Sequence, residues 1–82
     1  MELSLDNVER VVIERIAPIL AVDKGLIRVV DVQEALGVIR VALGGSYRGC
    51  PSGSVVFEHV VEPTLRHVLS GVQKVELTAW VG

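Results

Sequence analysis

The spacing of apolar residues is what most limits the folds open to this chain. Two segments repeat apolar residues at the three- and four-residue intervals of an amphipathic helix, and three shorter segments alternate apolar and polar residues as half-buried strands do. Their order along the chain is helix, strand, strand, helix, strand. We therefore predict an α+β fold in which two helices pack on one face of a three-stranded mixed sheet.

The first helical segment occupies the N-terminal part of the chain. Ser4 or Asp6 can cap its start. Pro18 should bend or loosen its last turn, and Gly25 suits a left-handed cap at its exit. The apolar stripe that predicts this helix consists of Leu5, Val8, Val12, Ile16, Ile19 and Leu20.

The second helical segment follows a loop rich in glycine and serine. Pro51 suits its first position, where a missing N–H is harmless, and Pro63 lies inside it and should kink or split it. Ser70 and Gly71 then end the segment. Its apolar stripe consists of Val56, Phe57, Val60, Val61, Leu65, Val68 and Leu69.

The strand segments cover residues 26–32, 38–43 and 74–79. The short link ending in Gly37 predicts an antiparallel hairpin, and a helical crossover should place the third strand parallel to a hairpin strand. The sheet face away from the helices mixes charged and apolar residues. It fits either a partner interface containing Val30, Arg40 and Trp80, or a small protein with scattered exposed valines.

Composition narrows the classes of function. Half of the residues are apolar and mostly aliphatic, with one Phe, one Tyr and one Trp, so we expect an aliphatic core in a single domain over residues 1–82. The net charge is −2 and there is no basic run, which argues against nucleic-acid binding. No apolar run suits a membrane span, and the start lacks a signal-peptide pattern. We therefore expect a cytoplasmic protein.

Cys50, the only cysteine, lies in the loop between the second strand and the second helix. Unpaired N–H groups in the first helical turn stabilise a thiolate, and Arg48 adds to that effect. Gly45 and Gly49 permit backbone conformations that bring N–H groups close to an anion or cluster. The alternative is an ordinary small residue in a surface turn.

Several enzymatic sites are incompatible with the spacing in this loop. Gly44 and Gly49 have the separation found in a nucleotide-binding P-loop, but Cys50 and Pro51 stand where that motif requires Lys and Ser/Thr. A single cysteine also excludes a redox dithiol and an internal disulfide.

The two histidines do not complete a cysteine nucleophile. His59 and His67 lie too far along the second helix to reach Cys50 within an unbroken helix. Glu58 and Glu62 are four residues apart and fit a solvated helix face better than an acid–base pair. We therefore predict that the chain is not an enzyme.

Six segments, taken in order, carry a resemblance to a known family. They are Ile16-Ala-Pro-Ile-Leu20, Asp23-Lys-Gly25, the hairpin strands Ile27-Arg-Val-Val-Asp-Val32 and Ile39-Arg-Val-Ala-Leu43, the loop Gly45-Ser-Tyr-Arg-Gly-Cys-Pro-Ser52, and Ser70-Gly-Val72. Residues 5 to 80 as a whole resemble the C-terminal domain of NifU, the Nfu family of iron–sulfur cluster scaffold and carrier proteins.

The resemblance implies a role in storing or handing on iron–sulfur clusters. The family carries a Gly-x-Cys-x-x-Cys-Pro-Ser motif, and two cysteines from each of two subunits hold a cluster between them. The second family cysteine corresponds to Cys50, whereas the first falls on Tyr47, and Lys24 stands where the family usually has a glycine. A cluster normally takes four thiolates, and a phenol is rarely ionised near neutral pH. The residues expected around Cys50 are Gly45, Tyr47, Arg48, Gly49, Pro51 and Ser52.

Three functions stay open at this point. The first is an iron–sulfur cluster carrier or accessory domain with Cys50 as its only protein ligand to iron. Its partners would be assembly or recipient proteins, or a second copy in a homodimer, with the cluster shared between subunits or with a partner. The second is a non-metal interaction domain, without a cofactor, that uses the Trp80 face. The third is a redox or persulfide carrier with the single thiol of Cys50.

Overall fold

A computed structural model of the chain describes residues 1–47 and 52–78. The two helices and three strands occur in the predicted order, which confirms the α+β fold. Each long helix has a π-helical segment between two α-helical stretches. The N-terminal helix comprises α1 (Leu5–Val11), a π-helical segment (Val12–Ile16) and α2 (Ala17–Ala21). The second helix comprises α3 (Ser52–Val56), a π-helical segment (Phe57–Val61) and α4 (Glu62–Val68).

Both π-helical segments end two residues before a proline. Pro18 and Pro63 each lie in the first turn of the α-helical stretch that follows. Proline lacks an N–H, and its ring crowds the carbonyl four residues earlier, so a wider turn lets the helix continue past it. The backbone stays right-handed helical at Val61 and Glu62. Pro63 therefore widens the second helix and does not split it.

The start of the N-terminal helix is capped by Ser4, whose Oγ accepts a hydrogen bond from the Asn7 N–H at 3.2 Å. Asp6 lies in the first turn and is not the cap. The predicted stripe is wrong at Leu5 and Ile19, which are about half exposed. A π-helical turn adds a residue to the helical repeat, so apolar positions on its two sides no longer follow one regular stripe.

The sheet has the order β1-β2-β3. The first two strands are antiparallel. The third strand, β3, runs parallel to β2, as expected for two strands joined by a helical crossover. Gly37 closes the hairpin turn with a φ of 69°, a conformation in which glycine is unstrained. A β-bulge interrupts β1 between Val29 and Asp31. The strands are β1 (Gly25–Gln33), β2 (Val38–Gly45) and β3 (Lys74–Thr78).

The core lies between the helices and one face of the sheet. The central strand β2 contributes Ile39, Val41 and Leu43, which are all buried. Tyr47 and Phe57 also belong to this cluster, so the core is not purely aliphatic as composition suggested. In the part of the chain that the structure describes, no helix is both long enough and apolar enough to span a membrane.

The turn between α2 and β1 corrects one prediction. Lys24, and not Gly25, adopts the left-handed conformation, with a φ of 61°. The Lys24 N–H donates to the Ala21 carbonyl at 3.0 Å, as expected at a helix end. The left-handed conformation is unfavourable for any residue that has a Cβ, and Lys24 has one.

We expect Lys24→Gly to raise the free energy of unfolding by about 0.5–1 kcal/mol, because glycine adopts a positive φ without steric strain. Lys24→Ala is the matched control, since it removes the same charge but keeps the Cβ, and it should give no gain. Chemical denaturation of the three proteins measures the difference. An equal gain in both variants would assign the effect to the lysine charge and not to backbone strain.

Candidate functional site

The end of β2 packs against the turn that leads into β1. We call these residues, 23–25 and 44–47, the corner. Gly25 and Gly45 are paired at the ends of their strands. The Ser46 N–H donates to the Lys24 carbonyl at 3.2 Å, and the Ser46 hydroxyl donates to the Asp23 carbonyl at 2.5 Å. The corner therefore ties the exit of the N-terminal helix to the segment that leads toward Cys50.

Gly45, one of the loop positions predicted from sequence, has a structural reason to be glycine. Its φ is 61°, and a Cβ there would overlap the Lys24 carbonyl oxygen. A side chain at position 45 would force the corner apart in addition to straining the backbone.

Tyr47 fills the corner. Its side chain is buried, with 8% of its surface exposed, and its hydroxyl donates to Asp23 Oδ2 at 3.0 Å. The ring lies directly on Gly25, where a Cβ would overlap ring carbon Cε2. Gly25 is therefore required for close packing against Tyr47, and not for a left-handed cap.

The environment of Tyr47 keeps its phenol protonated. Burial raises the pKa of Tyr47 most, and the hydrogen bond to Asp23 and the negative charge of that carboxylate raise it further. A neutral phenol is a poor metal ligand, and this one already has its proton committed to a carboxylate. Tyr47 occupies the position of the family's first cysteine in the resemblance, but it has a packing role here.

The second helix starts against the same residue. A Cβ at Gly53, in α3, would come within 3.1 Å of the Tyr47 carbonyl oxygen. This close approach fixes the first turn of the helix beside the corner. Four of the predicted site residues lie in the sequence between the corner and α3, outside the described part of the chain: Arg48, Gly49, Cys50 and Pro51. Ser52 is the first residue of α3. Its side chain also lies outside the described part of the structure.

The predicted interface lies on the sheet face away from the helices and is separate from the corner. Val30 is half exposed there, and Trp80 lies outside the described residues. Arg40 Nε donates to Glu76 Oε2 at 2.9 Å, and Lys74 Nζ lies 3.2 Å from Glu76 Oε1. Hydrogen bonds from two cations lower the pKa of Glu76, and the bond from Lys74 has a larger effect than the bond from Arg40.

Residues 1–47 and 52–78 contain no group of three or more His, Cys, Asp or Glu side chains placed to hold a metal ion. Sequence reasoning missed Asp23 and the reason for Gly25. The available signal was the single tyrosine close to a Gly-Gly pair, because an isolated aromatic in an aliphatic chain needs a small neighbour and a hydrogen-bond acceptor.

Comparison with known proteins identifies one family. The NifU-like domain family matches residues 8–76, which cover most of the chain and include the corner, Cys50, the second helix and most of the N-terminal helix. A search of curated proteins finds no match.

We expect Gly25→Ala to lower the free energy of unfolding by about 1–3 kcal/mol, because the methyl group overlaps the Tyr47 ring. The same substitution in a Tyr47→Cys background should cost clearly less, since the ring is gone. A double-mutant cycle by chemical denaturation measures the coupling between the two positions. Equal costs in both backgrounds would mean that the ring does not set the requirement for glycine.

We expect Glu76→Gln to destabilise the protein slightly at neutral pH and not at low pH. A carboxyl whose pKa is lowered by folding adds stability above its unfolded-state pKa of about 4.3, and this contribution is lost as pH falls through the folded-state pKa. Thermal melts between neutral and acid pH measure it, and added salt should shrink the difference. The control is Glu34→Gln in the hairpin turn. A Glu76→Gln effect that grows toward acid pH would contradict the assignment.

Proposed function

Because the chain belongs to the NifU-like domain family, we propose that it works in iron–sulfur cluster assembly as a carrier with a single protein thiolate. Cys50 would supply that thiolate, and the cluster would be cargo that is received and handed on. The proposed role is transfer of a cluster and not catalysis. The observation that carries the proposal is the family match across the loop that contains Cys50.

The packing of Tyr47 defines what kind of carrier this would be. Its hydroxyl proton is committed to Asp23, and its ring cannot leave without opening a space over Gly25. It therefore cannot act as a substitute for a second cysteine. A cluster needs about four thiolates, so two copies of this chain would still leave it short of ligands.

The missing ligands would then come from outside the chain. The described residues offer no alternative metal-binding group. Thiols of an assembly or recipient protein, or of a small thiol such as glutathione, are of the same chemical type as the ligand that is missing. A carrier with one thiolate of its own would bind the cluster weakly and release it readily to a partner that supplies more cysteines.

Anaerobic reconstitution with iron and sulfide tests this function. We expect the wild type to acquire visible cluster absorption when a small thiol is present and little without it. Cys50→Ser should acquire none under either condition. Tyr47→Cys should bind a cluster without added thiol, because two such chains provide four cysteines.

Ser46→Cys is the matched control, because it adds one thiol to the same segment at a position outside the family spacing. It should behave like the wild type. Equal absorption in the wild type and Cys50→Ser, or no absorption with any thiol, would overturn cluster carriage and favour an interaction domain without metal.

A further inference from the structure

An isoleucine stands on the outer side of the N-terminal helix. Ile13 is 66% exposed, although Val11 and Val12 just before it are buried. The π-helical segment begins at Val12, so Ile13 lies in the wider turn and on the side away from the core. A single exposed apolar residue is common on protein surfaces. The residues around Ile13 therefore decide whether it has a role.

These residues form a shallow depression on the surface of the helix. Its volume is about 400 Å³. It extends over about 12 Å of the helix axis at 1.5 Å per residue, which is the length of about two turns of a second helix packed against it. We call its lining residues the outer face: Asp6, Glu9, Arg10, Ile13 and Glu14.

The charges of the outer face are unbalanced. Asp6, Glu9 and Glu14 are acidic and exposed, against the one guanidinium of Arg10. Arg10 lies four residues from both Asp6 and Glu14, the spacing at which ion pairs form along a helix. Within residues 1–47 and 52–78, none of these four groups is in an ion pair. The outer face thus has a surplus of negative charge around an apolar centre.

This charge selects among the possible occupants of the outer face. A second copy of the chain would bring the same negative surplus against it, and like charges in contact oppose association. Nucleic acid and anionic lipid surfaces are repelled for the same reason. A protein segment with positive charges is attracted, and an amphipathic helix is a common form of such a segment.

We propose that the outer face binds a cationic amphipathic helix of a partner protein. An apolar side chain of the partner packs on Ile13. Lysine or arginine side chains one turn to either side pair with Glu9 and Glu14, which are exposed and have room for them.

A second depression shows where the positive charges of the partner belong. It has a volume of about 240 Å³ and lies between Ile13 and β1. Its lining includes one acidic and one basic residue, Glu9 and Arg28, so its charges balance. It gives no preference for a cation, and the partner's lysine or arginine residues therefore lie over the outer face.

This interaction goes beyond the proposed function and does not depend on it. It uses neither Cys50 nor a cluster, so it should be the same in cluster-free protein and in Cys50→Ser. Failure of reconstitution with iron and sulfide would leave it intact, and its own failure would leave cluster carriage intact.

A synthetic helical peptide, with one leucine flanked by lysines one turn to either side, tests the proposal by fluorescence anisotropy. We expect the dissociation constant to rise about ten-fold in Ile13→Gln, because the isoleucine leaves water only when the face is covered. Leu36→Gln is the matched control, since Leu36 is 64% exposed in the hairpin turn, and it should not change the affinity. Circular dichroism confirms that the variants fold.

A pair of double variants separates the outer face from the charge of the whole chain. Glu9→Gln with Glu14→Gln should weaken binding about ten-fold, and added salt should shrink the difference. Glu58→Gln with Glu62→Gln changes the net charge by the same amount on the second helix and should have little effect. Equal losses in the two double variants would assign binding to net charge and overturn the proposal.

Two further measurements decide the place and the kind of occupant. In a titration followed by NMR, the amide signals of residues 6–14 should shift most, and larger shifts elsewhere would contradict the proposal. Sedimentation without peptide should show no association through this face. A dimer that weakens in Ile13→Gln would assign the face to a second copy and overturn the proposal.

Discussion

The contact of the Tyr47 ring with Gly25 is the constraint on which the arrangement of the whole corner depends. The ring closes the space between the two strand ends, and its hydroxyl holds the Asp23 side chain at the exit of the N-terminal helix. The backbone of the same residue lies against Gly53 at the start of the second helix. One residue thus joins the exit of the N-terminal helix, the paired strand ends and the start of the second helix. The segment that contains Cys50 lies in the sequence between Tyr47 and Gly53, the two residues that make this contact.

The overall topology was predictable because each part of it leaves a local mark in the sequence. Ile39, Val41 and Leu43 alternate with less apolar residues, and all three are buried in the central strand as that alternation implies. Gly37 marks the hairpin turn, and it does have a positive φ. A helix between β2 and β3 leaves a parallel arrangement as the favoured connection. These inferences use only neighbouring residues and general rules of chain connection.

The errors come from interactions between residues that are far apart in sequence. Gly25 looked like a helix cap because glycine is common there, but its reason is an aromatic ring 22 positions later, whereas Lys24 takes the positive φ. Pro63 looked like a break in the helix, but a wider turn accommodates it. The loop motif puts Tyr47 at the position of a ligand, and the sequence pattern does not reveal that its ring lies in the core. Each of these outcomes requires knowledge of what packs on the residue in three dimensions.

The packing of Tyr47 on Gly25 also restricts the order in which this corner can change during evolution. While the ring is present, any larger residue at position 25 would overlap it, so the requirement for glycine at position 25 depends on the tyrosine at position 47. Loss of the ring leaves a space over Gly25 that neighbouring groups must fill, and a thiol is too small to do so alone. Replacement of the tyrosine by cysteine therefore adds a thiol in one step, but a second substitution nearby is needed to restore the packing over Gly25.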